Sequence, residues 1–543
     1  MDSSYNNMYG SIYALLNASK QKRELLLGLR APMNLETTVG SEHETPSESN
    51  NPTTIGREHE TTSGSNNTTT TGDENETATD PTAGTSTKEE CDDLSPINQP
   101  EYPEDIIQKA MQADDYFLIV GPPGTGKTSI FARRLIEEYH KRPDNNILVL
   151  AYTNRAVDEL CEAINAAFRC VDGACDSYIR VGTELSCAEP YRHRLLQQIS
   201  EKAKNRESLR QEIRQCRIYV STLSSMQGRM ELFALKHFHL AIIDEASQIL
   251  EPQIIGLLPH FDKFIMIGDH NQLATIVLQK SFLSRIEEPL LREAGITDCR
   301  DSLFERLLRR CSTQGWHHAY VQLTLQGRMH DDIAAFPGRY FYSGGLLPAK
   351  EWQSDAWSLD HSSEDFFHRH VAAERTLFFS TEKICGPTLS DKINETEAYT
   401  IFRLIQSIRT LYTANGKAFD SSTIGIIAPY RNQIALIRHR LAEAGIDGME
   451  NVMIDTVERF QGSQRDVIIL SFCINKPYQM NFLCNLNHDG TVDRKLNVAL
   501  TRARQQLFLV GNAAILRRHP VYATLLDHYR KKTVVLEQNE IFL

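Results

Sequence analysis

A chain of 543 residues has room for about three or four domains, and no apolar run in it approaches the ~20 residues that a membrane span needs. The formal charge of −12 is confined to one segment: residues 35–93 hold 14 Asp+Glu and 2 Lys+Arg, which leaves 56 basic and 56 acidic residues elsewhere. A neutral remainder does not exclude a polyanionic partner, because basic and acidic surfaces can sit side by side. The 11 cysteines form no CxxC pair and no Cys/His metal spacing. Together with the lack of a signal-peptide pattern, this predicts an intracellular protein, cytoplasmic or nuclear, with reduced thiols and no zinc module.

Residues 1–33 carry a short helical pattern, "SIYALLNASKQKRELLLGLR", closed by Pro32. It is too small to fold alone and is expected to pack on a neighbour. Residues 34–93 are rich in Thr, Ser, Asn and Glu, and "EHETPSESNNPTT" is echoed by "EHETTSGSNNTTT". So few apolar side chains cannot offset the ordering entropy, so this acidic segment is expected to be disordered. From residue 94 the texture changes to apolar runs alternating with helical patterns. "YFLIV", "NILVLAY", "RIYVST", "LAIIDE" and "FIMIGD" are read as buried parallel strands of a first lobe, residues 94–315. "YVQLTL" (320–325), "TLFFS", "TIGIIAP", "VMIDTV", "DVIILSF" and "QLFLVGN" are read as strands of a second, residues 316–543. Between them, Ala398, Ile401, Phe402, Ile405 and Ile408 recur on one helical face. The fold class is therefore α/β with two tandem parallel-sheet lobes.

"GPPGTGKTS", residues 121–129, follows the first strand and precedes a helical pattern. That is the context a phosphate loop requires: Gly121, Gly124 and Gly126 let backbone N–H groups face the phosphates, in a nucleotide-binding loop completed by Pro122, Pro123 and Thr125. Lys127 reaches the outer phosphates, the Thr128 hydroxyl suits Mg²⁺, and Ser129 closes the expected nucleotide-binding stretch. ATP and Mg²⁺ are the expected ligands. "IIDEASQ" ends a strand so that Asp244 can hold the metal and Glu245 can orient or deprotonate water. "IGDHNQL" places Asp269 and Gln272 where they could sense the γ-phosphate. Arg328 in "LQGRMH" and Arg502 in "LNVALTRARQQLFLVGN" are candidates to reach across from the second lobe.

In order along the chain, "GPPGTGKT", "AYTNRAVDEL", "DEASQ", "GDHNQL", "QGRM", "APYRNQ", "TVERFQGSQRD" and "LNVALTRAR" make the sequence resemble superfamily-one helicases. The branch is the one containing the nonsense-mediated-decay RNA helicase and the Okazaki-fragment helicase–nuclease. The resemblance, over residues 94–515, implies two RecA-like lobes with ATP between them and single-stranded DNA or RNA across the top. It implies that Gln272, Arg328 and Arg502 contact the γ-phosphate, and that Thr153, Asn154, Ser221, Thr222 and Thr456 lie along the nucleic-acid backbone. It implies further that Gln461 and Gly462 couple that track to the nucleotide, that Gln99 reads adenine, and that the protein acts as a monomer translocating 5′ to 3′.

Three departures qualify the resemblance. Gly327 stands where the family usually has a tyrosine stacked on adenine, a loss of ~1 kcal/mol of base binding. Gln464 and Glu458 replace family Glu and Asp; both are expected to leave the hydrolytic set untouched. The β-barrel that relatives carry before the first motif is absent, and residues 191–215, rich in Lys and Arg, match the other usual insertion. Three readings stay open: a helicase, a translocase without strand separation, and a nucleic-acid-binding regulator that has lost hydrolysis.

Overall fold

The computed structural model describes residues 3–34, 101–168, 178–277, 279–361, 364–384, 390–446, 449 and 451–541. The acidic stretch read as disordered and the adenine-reading candidate Gln99 lie outside them.

The described residues form fifteen strands. In the first part of the chain these are β1 (Tyr116–Val120), β2 (Ile147–Ala151), β3 (Tyr178–Val181), β4 (Ile218–Thr222), β5 (Phe238–Ile243), β6 (Phe261–Gly268) and β7 (Tyr320–Gln322). They pair in parallel in the order β3-β4-β2-β5-β6-β1-β7. A two-stranded ribbon follows, β8 (Leu325–Gln326) and β9 (Leu347–Pro348). The second sheet uses β10 (Thr376–Ser380), β11 (Ile424–Ile427), β12 (Met453–Asp455), β13 (Arg465–Ser471), β14 (Ala503–Gly511) and β15 (Thr533–Val535). It too is parallel, in the order β12-β11-β13-β14-β10-β15.

The continuous apolar runs have a simple cause: both faces of each sheet are covered by helices. In the first lobe Leu118, Val120, Leu148 and Leu150 enter one core, while Phe117, Ile119, Ile147 and Val149 enter the other. In the second, Phe378, Ile468 and Leu470 face one core and Leu377, Phe379, Val467 and Ile469 the opposite one. Successive side chains of a strand point to opposite faces, so each run supplies two cores at once. The helix Glu395–Ala414 buries Ala398, Ile401, Ile405 and Ile408 completely and Phe402 in part, as its periodicity predicts.

One strand assignment is corrected. "YVQLTL" was expected to open the second lobe, yet β7 is the edge strand of the first sheet, with Leu118, Ile119 and Val120 aligned to Tyr320, Val321 and Gln322. An apolar run carries no mark of the sheet it will join, and here the chain returns beside β1 before it crosses over. The strands β3 and β15 had no expectation at all. Residues 189–215 form three short helical pieces, Glu189–Arg194, Leu196–Lys202 and Arg206–Gln215.

The N-terminal pattern is two helices, Ser3–Leu16 and Lys20–Leu26, with Leu25 and Leu26 buried in the first-lobe core. Gly256 permits that docking. A Cβ there would lie 2.0 Å from the Ser11 carbonyl oxygen, and the Gly256 N–H donates to Ser11 Oγ at 2.8 Å. Arg306 fastens the second helix by donating to the Leu26 carbonyl at 2.6 Å while it pairs with Glu251 at 2.6 and 2.8 Å.

Candidate active site between the lobes

The phosphate loop leaves β1 with its first amide tied to β6: Gly121 N–H donates to the Gly268 carbonyl at 2.8 Å. Gly124 (φ +81°) and Gly126 (φ +79°) take left-handed backbone, which a side chain would resist. The helix then starts with a wide turn, Lys127–Ala132, and runs on as Arg133–His140. Its first amides and its dipole face the loop, an arrangement suited to anions. Lys127 Nζ donates to the Gly121 carbonyl at 2.7 Å, which keeps the ammonium folded over the loop.

Thr128 Oγ1 donates to Asp244 Oδ2 at 2.5 Å, and the Glu245 N–H donates to Asp244 Oδ1 at 2.9 Å. Asp244 is 1% exposed at the end of β5. Burial, with the neighbouring Glu245 charge, pushes its carboxyl up to about 6, while Thr128 and Lys127 pull the other way. A buried carboxylate beside a hydroxyl is a donor set that fits Mg²⁺. Glu245 itself sits at φ +50°, unusual for a side-chain-bearing residue, and its carboxylate lines the cleft. Gln248 Nε2 steadies it from 3.0 Å.

Both candidate arginines arrive on the same cleft, a cavity of about 690 Å³ that also contains residues 122–129, Glu245, Gln272, Gln461 and Gly462. Arg502 is 2% exposed. It donates from Nε to the Val498 carbonyl at 3.0 Å and from Nη2 to Gln272 Oε1 at 3.3 Å. Burial and the charge of Arg328 push its guanidinium down to about 9, so it stays cationic at neutral pH. Arg328 is likewise pushed down by burial, to about 10, against the pull of Glu245.

Two expectations are corrected here. Gln464 was expected to leave the hydrolytic set alone, but its Oε1 accepts from Arg328 Nε at 2.9 Å and it lines the cleft. Asp269 does not face the cleft. It is 1% exposed and spends its carboxylate on Gln272 Nε2 at 2.6 Å and the Tyr342 hydroxyl at 2.7 Å. The Tyr342 oxygen in turn accepts from Asn497 Nδ2 at 2.7 Å, which also donates to the Asn271 carbonyl at 2.7 Å. Tyr342 thus belongs to the site without any local motif to announce it, whereas Asn497 lies inside "LNVALTRAR" and carried no expectation. Gly121 and Asp244 sit behind the cleft wall, with Lys127 and Thr128 in front of them. Glu458 pairs with Lys495 at 3.3 Å, away from the cleft.

The backbone-track candidates fall at strand ends. Thr153 and Asn154 are exposed just after β2, and Thr153 caps the helix Asn154–Ala167 by accepting from the Ala156 N–H at 3.2 Å. Thr456 is half-buried, immediately after β12. Thr222 caps the helix Leu223–Gln227 and is 7% exposed. Ser221 is the exception: it is fully buried, its hydroxyl donating to the Val181 and Thr222 carbonyls at 3.1 and 2.8 Å. Its side chain ties β4 to β3 and is not presented to a ligand. Among the described residues, no helix is long and apolar enough to cross a membrane.

Two family models, each described as an AAA domain, match this chain, one over residues 101–202 and 188–280 and the other over 299–514. Among curated proteins, the DNA replication ATP-dependent helicase/nuclease DNA2 of Homo sapiens is 29% identical over 471 residues, covering 82% of this chain and 40% of that protein. Its Xenopus laevis counterpart is 30% identical over 477 residues, with the same coverage. Regulator of nonsense transcripts 1 of Dictyostelium discoideum is 30% identical over 464 residues, covering 77% of this chain and 31% of that protein. The chain therefore spans 40% or less of the length of these relatives.

Proposed function

The chain belongs to the superfamily-one helicases, and from that premise we propose that it is an ATP-driven motor on single-stranded nucleic acid. Hydrolysis would move it 5′ to 3′ and so unwind duplex or displace bound protein. The observation that carries this reading is the convergence of Arg328 and Arg502, from the second lobe, on a cleft whose other wall holds the phosphate loop, Glu245 and Gln272.

The loop amides and Lys127 would bind the phosphates, with Lys127 exchanging the Gly121 carbonyl for a phosphate oxygen. Bound Mg²⁺, held by Thr128 and Asp244, would neutralise phosphate charge. Glu245, aimed into the cleft by its left-handed backbone, would orient and deprotonate the attacking water. Arg502, already on Gln272, and Arg328 would stabilise charge as it develops on the γ-phosphate. Because these groups come from different lobes, nucleotide and product differ in how strongly they hold the lobes together, and that difference is what can drive movement. The nucleic-acid track would pass Thr153 and Asn154, exposed after β2, and the helix N-termini at Thr222 and Thr456.

ATP turnover of the full chain, measured alone and with single-stranded DNA or RNA, tests this reading against Lys127→Ala. Stimulation by one polymer that is lost in the variant establishes the motor and its track. Turnover at the variant's level with every polymer sinks it. A strand-displacement assay then separates unwinding from translocation alone.

A further inference from the structure

Phosphate chemistry accounts for only part of the cleft. The rest of its lining includes Glu101, Pro103, Ile106, Gly327, Ala349 and Lys350. A nucleotide whose triphosphate lies on the loop must put its base among such residues, and they include no aromatic ring. Among the described lining residues the one ring is Phe131, in the first turns of the loop's helix and 4% exposed.

What stands there instead is a lysine. A Cβ on Gly327 would lie 3.3 Å from Lys350 Cε, 3.8 Å from Nζ and 4.0 Å from Cδ. Gly327 is not in the left-handed region, so its backbone does not demand glycine. The missing side chain is room, and the Lys350 stem borders it. The lysine backbone is held in place: Ala349 N–H donates to the Gln326 carbonyl at 3.0 Å, and Lys350 N–H to Oε1 of the fully buried Gln353 at 2.9 Å. Its ammonium has no hydrogen bond or ion pair among the described residues. On the same cleft, Glu101 Oε1 accepts from Lys109 at 2.6 Å, but its Oε2 is buried without a hydrogen-bond partner among the described residues.

We infer that Lys350 is the base-contacting residue of this site and that, with Glu101, it accepts purine triphosphates with little discrimination between adenine and guanine. The inference rests on the proposed nucleotide site. The Lys350 stem, Pro103 and Ile106 offer apolar contact to a base face, and an ammonium over a π-face is attractive. An ammonium on the ring face meets the π-system of adenine and guanine alike. A carboxylate oxygen accepts from the adenine 6-amino group or from guanine N1–H and its 2-amino group. Neither polar group rejects one purine in favour of the other.

Dissociation constants from titration calorimetry of the full chain, with MgATP, MgGTP and magnesium tripolyphosphate, test this. Wild type should bind ATP and GTP within about fivefold of each other. Lys350→Ala should weaken both by about two- to fivefold and leave tripolyphosphate unchanged, and Lys350→Arg should keep the affinity. Adding Gly327→Tyr to Lys350→Ala should restore it, because a ring can then occupy the vacated space. Unchanged purine affinity in Lys350→Ala overturns the inference, as does an equal loss for tripolyphosphate. A preference for ATP over GTP beyond about twentyfold overturns it too. Absent turnover with these binding responses intact would refute the motor and leave the base contact standing.

Discussion

Tyr342 of the second lobe donates its hydroxyl to Asp269 of the first at 2.7 Å, and the same carboxylate oxygen accepts from Gln272 Nε2 at 2.6 Å. The amide that faces the cleft is therefore oriented by a phenol from the opposite lobe. Tyr342→Phe removes one hydrogen bond to a buried carboxylate, and such a bond contributes roughly 1.5–3 kcal/mol. ATP turnover in the variant should fall about tenfold in kcat with KM little changed, because the phosphate-binding residues are untouched. A raised KM at unchanged kcat would show that Tyr342 acts on binding and not on the orientation of Gln272.

Gln464 is expected to matter through Arg328, which it holds at 2.9 Å. Gln464→Ala frees the guanidinium, so kcat should drop by about three- to tenfold with nucleotide affinity nearly unchanged, the loss of a hydrogen bond worth ~1 kcal/mol. Gln464→Glu should also lower kcat, since a carboxylate competes with phosphate for the same arginine. Parallel measurement of dissociation constants and single-turnover rates checks both.

Arg494 of the second lobe and Glu305 of the first form a two-oxygen ion pair at 2.9 Å, with side chains 11% and 8% exposed; Arg494 also donates to the His270 carbonyl at 2.8 Å. Removing one partner leaves a buried charge, so Arg494→Ala should destabilise the protein by ~3 kcal/mol. Pairing Arg494→Met with Glu305→Leu should recover most of that loss. Chemical denaturation of wild type, Arg494→Met, Glu305→Leu and the double variant measures the coupling, and additive losses would show that the pair is not coupled.

Glu397 gives a pH dependence of stability. It is fully buried, accepts from Ser471 Oγ at 2.6 Å and from the Cys473 N–H at 2.8 Å, and burial pushes its carboxyl up to about 7. A raised acid binds more protons folded than unfolded between about pH 4.5 and 7, so stability falls as pH rises through that window and levels off above it. Glu397→Gln mimics the protonated form. It should be near wild type at pH 5 and more stable at pH 8, by an amount on the order of 3 kcal/mol. Denaturant midpoints at the two pH values check this, and a gap that does not widen would refute it.

The parts of the site legible in the sequence are those that a strand, a turn and a helix settle among themselves. Lys127 and Thr128 follow β1 within a few residues, and Asp244 ends a run that had to be a strand. Their placement together follows from spacing because the loop's geometry is local. Both arginines were also legible, through order along the chain. The two-lobe α/β architecture was written in continuous apolar runs, since only strands covered on both faces need them.

Contacts between distant segments were not. Gln464 meets Arg328 across 136 residues, and Tyr342 meets Asp269 across 73. Whether a polar side chain faces a cleft or a core depends on how two sheets are set against each other. Strand pairing inside one lobe hid two more: Ser221, whose hydroxyl turns inward to β3, and β7, whose apolar run suits either sheet. Periodicity within a segment fixes which side chains share a face; only the packing of one lobe on the other decides what that face meets.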